Sequence, residues 1–220
     1  MRPMKRKFEP GRVESPTFAA SSSRDRILQA AKGLFSTKGY ENTSTVAISR
    51  AAGSSESQLM KYFGSKEGLL EAIFDESWQK INRALRQAIQ ELSSPSQKFN
   101  ILGSLVVAAL ERDPEIKRLM LLEGRRVRKE GRMVALSQGY LDFVRIIDEV
   151  LAEMRQAGQL RADLHLEAVR SALMGMLEGL MRDQLLARRA GYPAHYSSKE
   201  LMEIFGDVLE SFTLSSARIA

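Results

Sequence analysis

The chain has 220 residues, 44% of them hydrophobic, and a formal net charge of +6, enough for one large domain or a small domain joined to a larger one with a sizeable core. The absence of cysteine and the presence of only two histidines, His165 and His195, exclude disulfides and a cysteine nucleophile and argue against a metal or histidine-based catalytic centre. The longest apolar stretches, such as Ile101–Leu110, fall far short of a membrane span, and no apolar run follows the basic Lys5, Arg6 and Lys7, so no signal peptide is read there and a cytoplasmic protein without cofactor is expected.

The charge is unevenly placed. Residues 1–66 hold 12 Lys and Arg against 5 Asp and Glu, whereas residues 67–220 hold 21 against 22. A positive field confined to the first third suits a polyanion, either nucleic acid or an anionic membrane surface. The plainer reading is a basic tail that only aids solubility. Residues 1–22 mix proline, glycine, serine and charge without periodicity and read as a disordered basic arm.

From Ser23 onward the apolar residues follow the helical period, and no strand pattern appears. A first helix capped by Ser23 carries Ile27, Leu28, Ala31, Leu34 and Phe35 and stops at Gly39. A short second helix runs from about Thr45 to Ala52 behind Ser44 or Thr43, and Gly53 breaks it. Ser55 and Gln58 form a capping box that opens a third helix of barely two turns, with Leu59 and Phe63 facing inward. Gly64 ends it, and Ser65 caps a long fourth helix reaching about Leu92. Ser94-Pro95 and Asp113-Pro114-Glu115 each place proline at a helix's first position. Gly131 precedes a helix ending near Ala157, another spans about Leu166–Ala190, and Ser197 with Glu200 opens the last. The sum is an all-α chain of about nine helices. Its expected organisation is an arm over 1–22, a three-helix module over 23–66 and a larger helical body over 67–220.

An isolated two-turn helix is marginal in water, so its neighbours must hold it. Its outer face carries Glu56, Ser57, Met60 and Lys61. A helix, a glycine turn and a polar second helix within positive surroundings form the arrangement that inserts a helix into the DNA major groove. An ordinary helical corner with a solvated face would look similar.

The same residues carry a resemblance. Gly39-Tyr40, Thr43-Ser44, Ile48, Ala52-Gly53, Ser55, Leu59, Tyr62-Phe63 and Ser65-Lys66-Glu67 with Leu69-Leu70 stand at the spacings of the TetR (tetracycline-repressor-type) family. The match covers about Ser23 to Trp78; the rest is similar only in being helical and of suitable length. The resemblance implies a homodimeric regulator whose helix-turn-helix binds a palindromic double-stranded DNA operator. Its body would bind a small-molecule effector that lowers operator affinity, as in a repressor. It places Ser57 and Lys61 at base edges with Ser55, Glu56 and Met60 close by, and Ser44, Tyr62 and Lys66 on phosphates. Lysine at a helix N-terminus is well suited to a phosphate, and Lys61 can donate to guanine. Three positions depart from the family. Ser54 stands where valine or isoleucine is usual, Ser57 where a glycine or small residue is, and Met60 where an aromatic is. Ser54 is expected to weaken the small core under the turn.

In the body, Leu173, Met176, Leu177 and Leu180 with Leu201, Phe205, Val208 and Phe212 are expected at a four-helix interface between two copies, although some must be core of a single copy. Met120, Met133, Tyr140, Met174, Glu178 and Met181 are the candidate lining of an effector pocket, with plain core packing the competing reading for the methionines. Arg125, Arg126, Arg128, Lys129 and Arg132 can meet an anionic ligand, such as the phosphates of an acyl thioester, or form a solvated connector. A helical carrier or enzyme with a vestigial DNA-binding module is the alternative function. The chain offers it no glycine-rich phosphate loop and no nucleophile–histidine constellation.

Overall fold

The computed structural model describes residues 22–122, 137–188 and 191–213. Among these the chain forms nine helices: α1 (Ser23–Lys38), α2 (Thr45–Ala51), α3 (Glu56–Phe63), α4 (Lys66–Gln90), α5 (Pro95–Arg112), α6 (Pro114–Leu122), α7 (Gln138–Gln156), α8 (Leu166–Leu186) and α9 (Ser198–Ser211). The basic arm, Met133, Gly131 and the cluster from Arg125 to Arg132 lie outside the described residues.

Capping chemistry sets most of the helix starts. Ser22, not Ser23, caps α1: its Oγ accepts from the Asp25 amide while the Asp25 carboxylate accepts from the Ser22 amide. Asp25 at the third helical position selects that serine from the run Ser21–Ser23. Ser44, Ser55, Ser65 and Ser197 cap α2, α3, α4 and α9. Ser94 makes no side-chain cap bond. Ser137 caps α7, so this helix starts at Gln138, seven residues beyond Gly131. Helix α8 stops at Leu186, four residues short of Ala190.

The first three helices close over a small core. Ile27, Leu28, Ala31 and Phe35 of α1 meet Ile48 of α2 and Leu59 of α3, all buried. The Arg26 Nε donates to the Ala52 carbonyl at 3.1 Å and so ties α1 to the turn before α3. Helix α4 then serves both halves of the molecule. Leu69, Leu70, Ile73 and Phe74 lie buried near its start, and Trp78, Ile81 and Leu85 lie buried further along.

The body is fastened to α4 through the start of α7. The Asp75 carboxylate accepts from the Gly139 amide at 2.7 Å, and the Asn82 Nδ2 donates to the Gly139 carbonyl at 2.8 Å. A Cβ on Gly139 would stand 2.8 Å from the Trp78 Cβ, so only glycine permits this approach. Trp78 stacks on Phe143 with centroids 4.6 Å apart. A second seam joins α1 to α6. The Lys32 ammonium pairs with Asp113 at 2.7 Å and Glu115 at 3.5 Å, and the Arg118 Nη1 donates to the Ser36 carbonyl at 3.3 Å. The seam matters because it is a direct physical connection between the three-helix module and the body.

Candidate nucleic-acid interface and effector chamber

Helix α3 buries one side chain completely. Leu59 is 0% exposed and Phe63 is partly buried under the Arg24 guanidinium, which lies 5.3 Å from its ring centroid. Glu56, Ser57, Met60, Lys61 and Tyr62 all face outward. Met60 and Tyr62 are 48% and 43% exposed. Both therefore offer apolar surface to a partner beside the polar groups of the same face. The face combines apolar reach, a hydroxyl and an ammonium, the set that reads thymine methyls and purine acceptors in the major groove.

The polar groups around this face are committed to different degrees. Ser57 and Lys61 stand exposed on α3. Ser55 Oγ accepts from the Gln58 amide and Ser44 Oγ from the Ala47 amide, which leaves each hydroxyl its own proton to donate. Glu56 is held: its Oε1 accepts from the Thr45 hydroxyl at 2.5 Å, linking the starts of α2 and α3. Lys66 is held more firmly. Its Nζ donates to the Tyr40 and Thr43 carbonyls, each at 3.0 Å, and lies 4.2 Å from the Tyr40 ring centroid. An ammonium has three N–H donors, so at most one is left for a phosphate. The placement makes Lys66 a clamp on the turn that enters α2. Ser54 also has a role that its family position hides. Its hydroxyl donates to the Gln58 Oε1 at 2.6 Å and steadies the side chain that completes the α3 capping box.

The body contains a small, wholly apolar cavity of about 30 Å³ lined by α5, α7, α8 and α9. Phe99 and Leu102 of α5, Phe143 of α7, Leu173 and Leu177 of α8 and Phe205 of α9 are among its walls. Phe99 and Phe205 stack at 6.1 Å with planes 6° apart, and the missing side chain of Gly103 lets the Phe205 ring come close. Among the described residues, Met174 is the one expected pocket residue that lines this cavity. Met181 is core at 1% exposure, Met120 is partly buried, and Tyr140 packs edge-on against Trp78 at 5.4 Å. Glu178 follows Leu177 on α8 without lining the cavity.

Four of the eight residues expected between copies are buried within the single chain. Leu173, Leu177, Leu201 and Phe205 are 1%, 9%, 1% and 3% exposed, so the single chain's own core consumes them. Met176, Leu180, Val208 and Phe212 are partly exposed. Outside them lie Ala168, Ala172 and Gly175 on α8, and Ile204 on α9 at 49% exposure.

Two family models cover most of the chain. Residues 27–73 match bacterial regulatory proteins of the tetR family, and residues 74–200 match the YsiA-like protein C-terminal region. The chain belongs to the TetR family of transcriptional regulators. It is 24% identical over 155 residues to the fatty acid metabolism regulator protein of Bacillus subtilis (strain 168), covering 70% of this chain and 78% of that one. It is 30% identical over 134 residues to the HTH-type transcriptional repressor NicS of Pseudomonas putida, covering 59% and 63%. Its fold is similar to that of a transcriptional regulator FadR from Bacillus subtilis in complex with stearoyl-CoA. That likeness has a TM-score of 0.76 and 21% identity, covering 85% of this chain and 97% of the other.

In this TetR-family regulator the sequence reading passed over Val46 and did not divide the apolar period of α9. Val46, 48% exposed, adjoins the Thr45 that holds Glu56, so the start of α2 adds an apolar group beside α3. Its place as an apolar residue in the first turn of a short helix behind Ser44 was the available signal. Ile204 fits the apolar period of α9, yet only the structure shows that period split between the core and the outside. Among the described residues no helix is long and apolar enough to cross a membrane, and no group of three potential metal ligands occurs.

Proposed function

We propose that this regulator is a homodimeric repressor that grips a palindromic operator through α3 of each copy and releases it when a small molecule enters the body. The observation that carries the reading is the outward face of α3. Ser57, Met60, Lys61 and Tyr62 stand in solvent on a helix anchored from behind by Leu59. One helix of eight residues contacts too few base pairs for tight binding, and twofold pairing supplies the second half-site. The outer faces of α8 and α9, where Ala168, Ala172 and Gly175 lie with Met176, Ile204 and Val208, support that pairing: small residues let helices approach and the larger ones fill the gaps. Ser44 and Tyr62 serve the phosphates, with Lys66 adding the one N–H its carbonyl bonds leave free.

The apolar cavity favours an effector with a hydrocarbon portion, and the similarity to a fatty acid metabolism regulator supports an acyl chain. At about 30 Å³ the cavity is closed to such a chain, so Phe99 and Phe205 would part on binding. The test is operator-fragment anisotropy with and without stearoyl-CoA. Binding should weaken steeply with salt, as expected for displaced counterions, and should weaken again when the acyl compound is added. Sequence-selective binding that persists unchanged with every acyl chain length would reject the effector class.

A further inference from the structure

A groove of about 800 Å³ lies between the end of α5, α6, the end of α8, residues 194–198, and Ser36 and Thr37 at the end of α1. It is separate from the apolar cavity and shares none of that cavity's lining. Three cations, Lys117, Arg118 and Arg188, line it together with His195. Lys117 is 7% exposed, yet among the described residues no carboxylate stands within ion-pair distance of its ammonium. Burial holds the Lys117 ammonium below the ordinary lysine range; Glu111 opposes that shift, and the neighbouring positive charge of Arg188 adds to it. The two acids on the lining have partners of their own. Glu111 accepts from the Ser198 hydroxyl, and Glu115 pairs with Lys32.

A buried lysine beside a like-charged arginine is by itself an unfavourable arrangement, because desolvation and repulsion both act against it. A bound anion reverses both effects. Guanidinium forks suit phosphate oxygens, and a lysine adds a point charge beside them. The groove's size is that of a nucleotide-like organic molecule rather than a single ion.

We propose that this groove binds the phosphate groups of an organic effector, held by Lys117, Arg118 and Arg188, and that binding draws Arg118 off the Ser36 carbonyl. That bond is part of the seam between α6 and the module carrying α3, so its loss changes how the module is held. The regulatory half of this inference rests on the reading of the chain as an effector-released repressor; the binding half does not.

Calorimetry on the full chain with pyrophosphate, coenzyme A and stearoyl-CoA distinguishes the possible sources of the phosphate. Binding of the first two identifies free phosphate compounds, and binding of the acylated molecule alone identifies a head group that needs its chain. In either case Lys117→Met and Arg188→Ala should each weaken binding by at least about tenfold. Arg188 is exposed, so its variant keeps the fold even if a change at Lys117 disturbs it. Hydrogen exchange over residues 33–38 should rise when the probe binds to wild type and be already raised in Arg118→Ala. Equal affinities for wild type and both groove variants, or no binding by any probe at low salt, would overturn the site. Operator release by an acyl effector that is identical in wild type and groove variants would overturn the regulatory role while leaving the repressor reading intact. Probe binding lost in the variants, with no effect on operator affinity, would instead uphold the site and overturn its regulatory role.

Discussion

Replacing Lys66 by methionine separates two roles that its position at the head of α4 allows. In the structure its ammonium makes two bonds of 3.0 Å to the Tyr40 and Thr43 carbonyls and lies over the Tyr40 ring at 4.2 Å. Charged hydrogen bonds contribute about 1.5–3 kcal/mol each and an exposed cation–ring contact about 0.5–1. Both carbonyls can take water in the variant and Lys66 is only half buried, so the net loss is about 2 kcal/mol. For a chain of this size that lowers the melting temperature by about 4–8 °C. Thermal and urea unfolding measure the change, and anisotropy with a bound DNA fragment measures operator affinity in parallel. A phosphate-only role predicts instead an unchanged melting temperature with the salt slope reduced by about one. An unaltered melting temperature would refute the clamp.

Leu59→Ala removes the fully buried side chain of α3 and should cost about 2–5 kcal/mol while abolishing DNA binding, as read by denaturation and gel shift. Gly175→Glu lies in open space on the single chain, so it should leave the fold intact and convert a dimer to monomers in sedimentation. Retention of the dimer would move the interface elsewhere. Lys117→Met should raise stability at neutral pH because it removes a buried charge without a near carboxylate. The folded-state pKa of Lys117 lies below the unfolded value. The penalty is therefore fully present below the folded pKa and fades as pH rises through it toward the unfolded one. The advantage of the variant should shrink over that alkaline range in unfolding titrations. Gly139→Ala should destabilise by about 1–3 kcal/mol, since its methyl meets the Trp78 Cβ and the Asp75 carbonyl.

The local parts of the fold were legible in the sequence because caps and glycine stops act within a few residues. Ser55 with Gln58 and Ser197 with Glu200 do in space what their spacing implies. Even the one-residue misplacement of the α1 cap had its answer nearby, in Asp25. Long-range commitments were hidden. The carbonyls that hold Lys66 stand 26 and 23 residues away, so its helix-terminal position spoke only for a phosphate. In α8 the four-residue spacing of Leu173, Leu177, Met181 and Leu185 marks a buried face, and the sequence does not say whether its own chain or a copy covers it. The outer face is marked by Ala168, Ala172 and Gly175, which hydrophobicity alone passes over. Ser54 looked like a loss of packing because its partner, Gln58, was visible only as a cap.

Selection of bound fragments from sheared genomic DNA, followed by sequencing, tests operator reading by α3 most directly. The wild-type protein should enrich a palindrome whose half-sites are centred about one helical turn or a small multiple of it apart. Lys61→Ala and Ser57→Ala should change the preferred bases within each half-site while keeping their spacing. No enriched palindrome, or the same base preferences in all three proteins, would contradict the assignment of α3 as the reading helix.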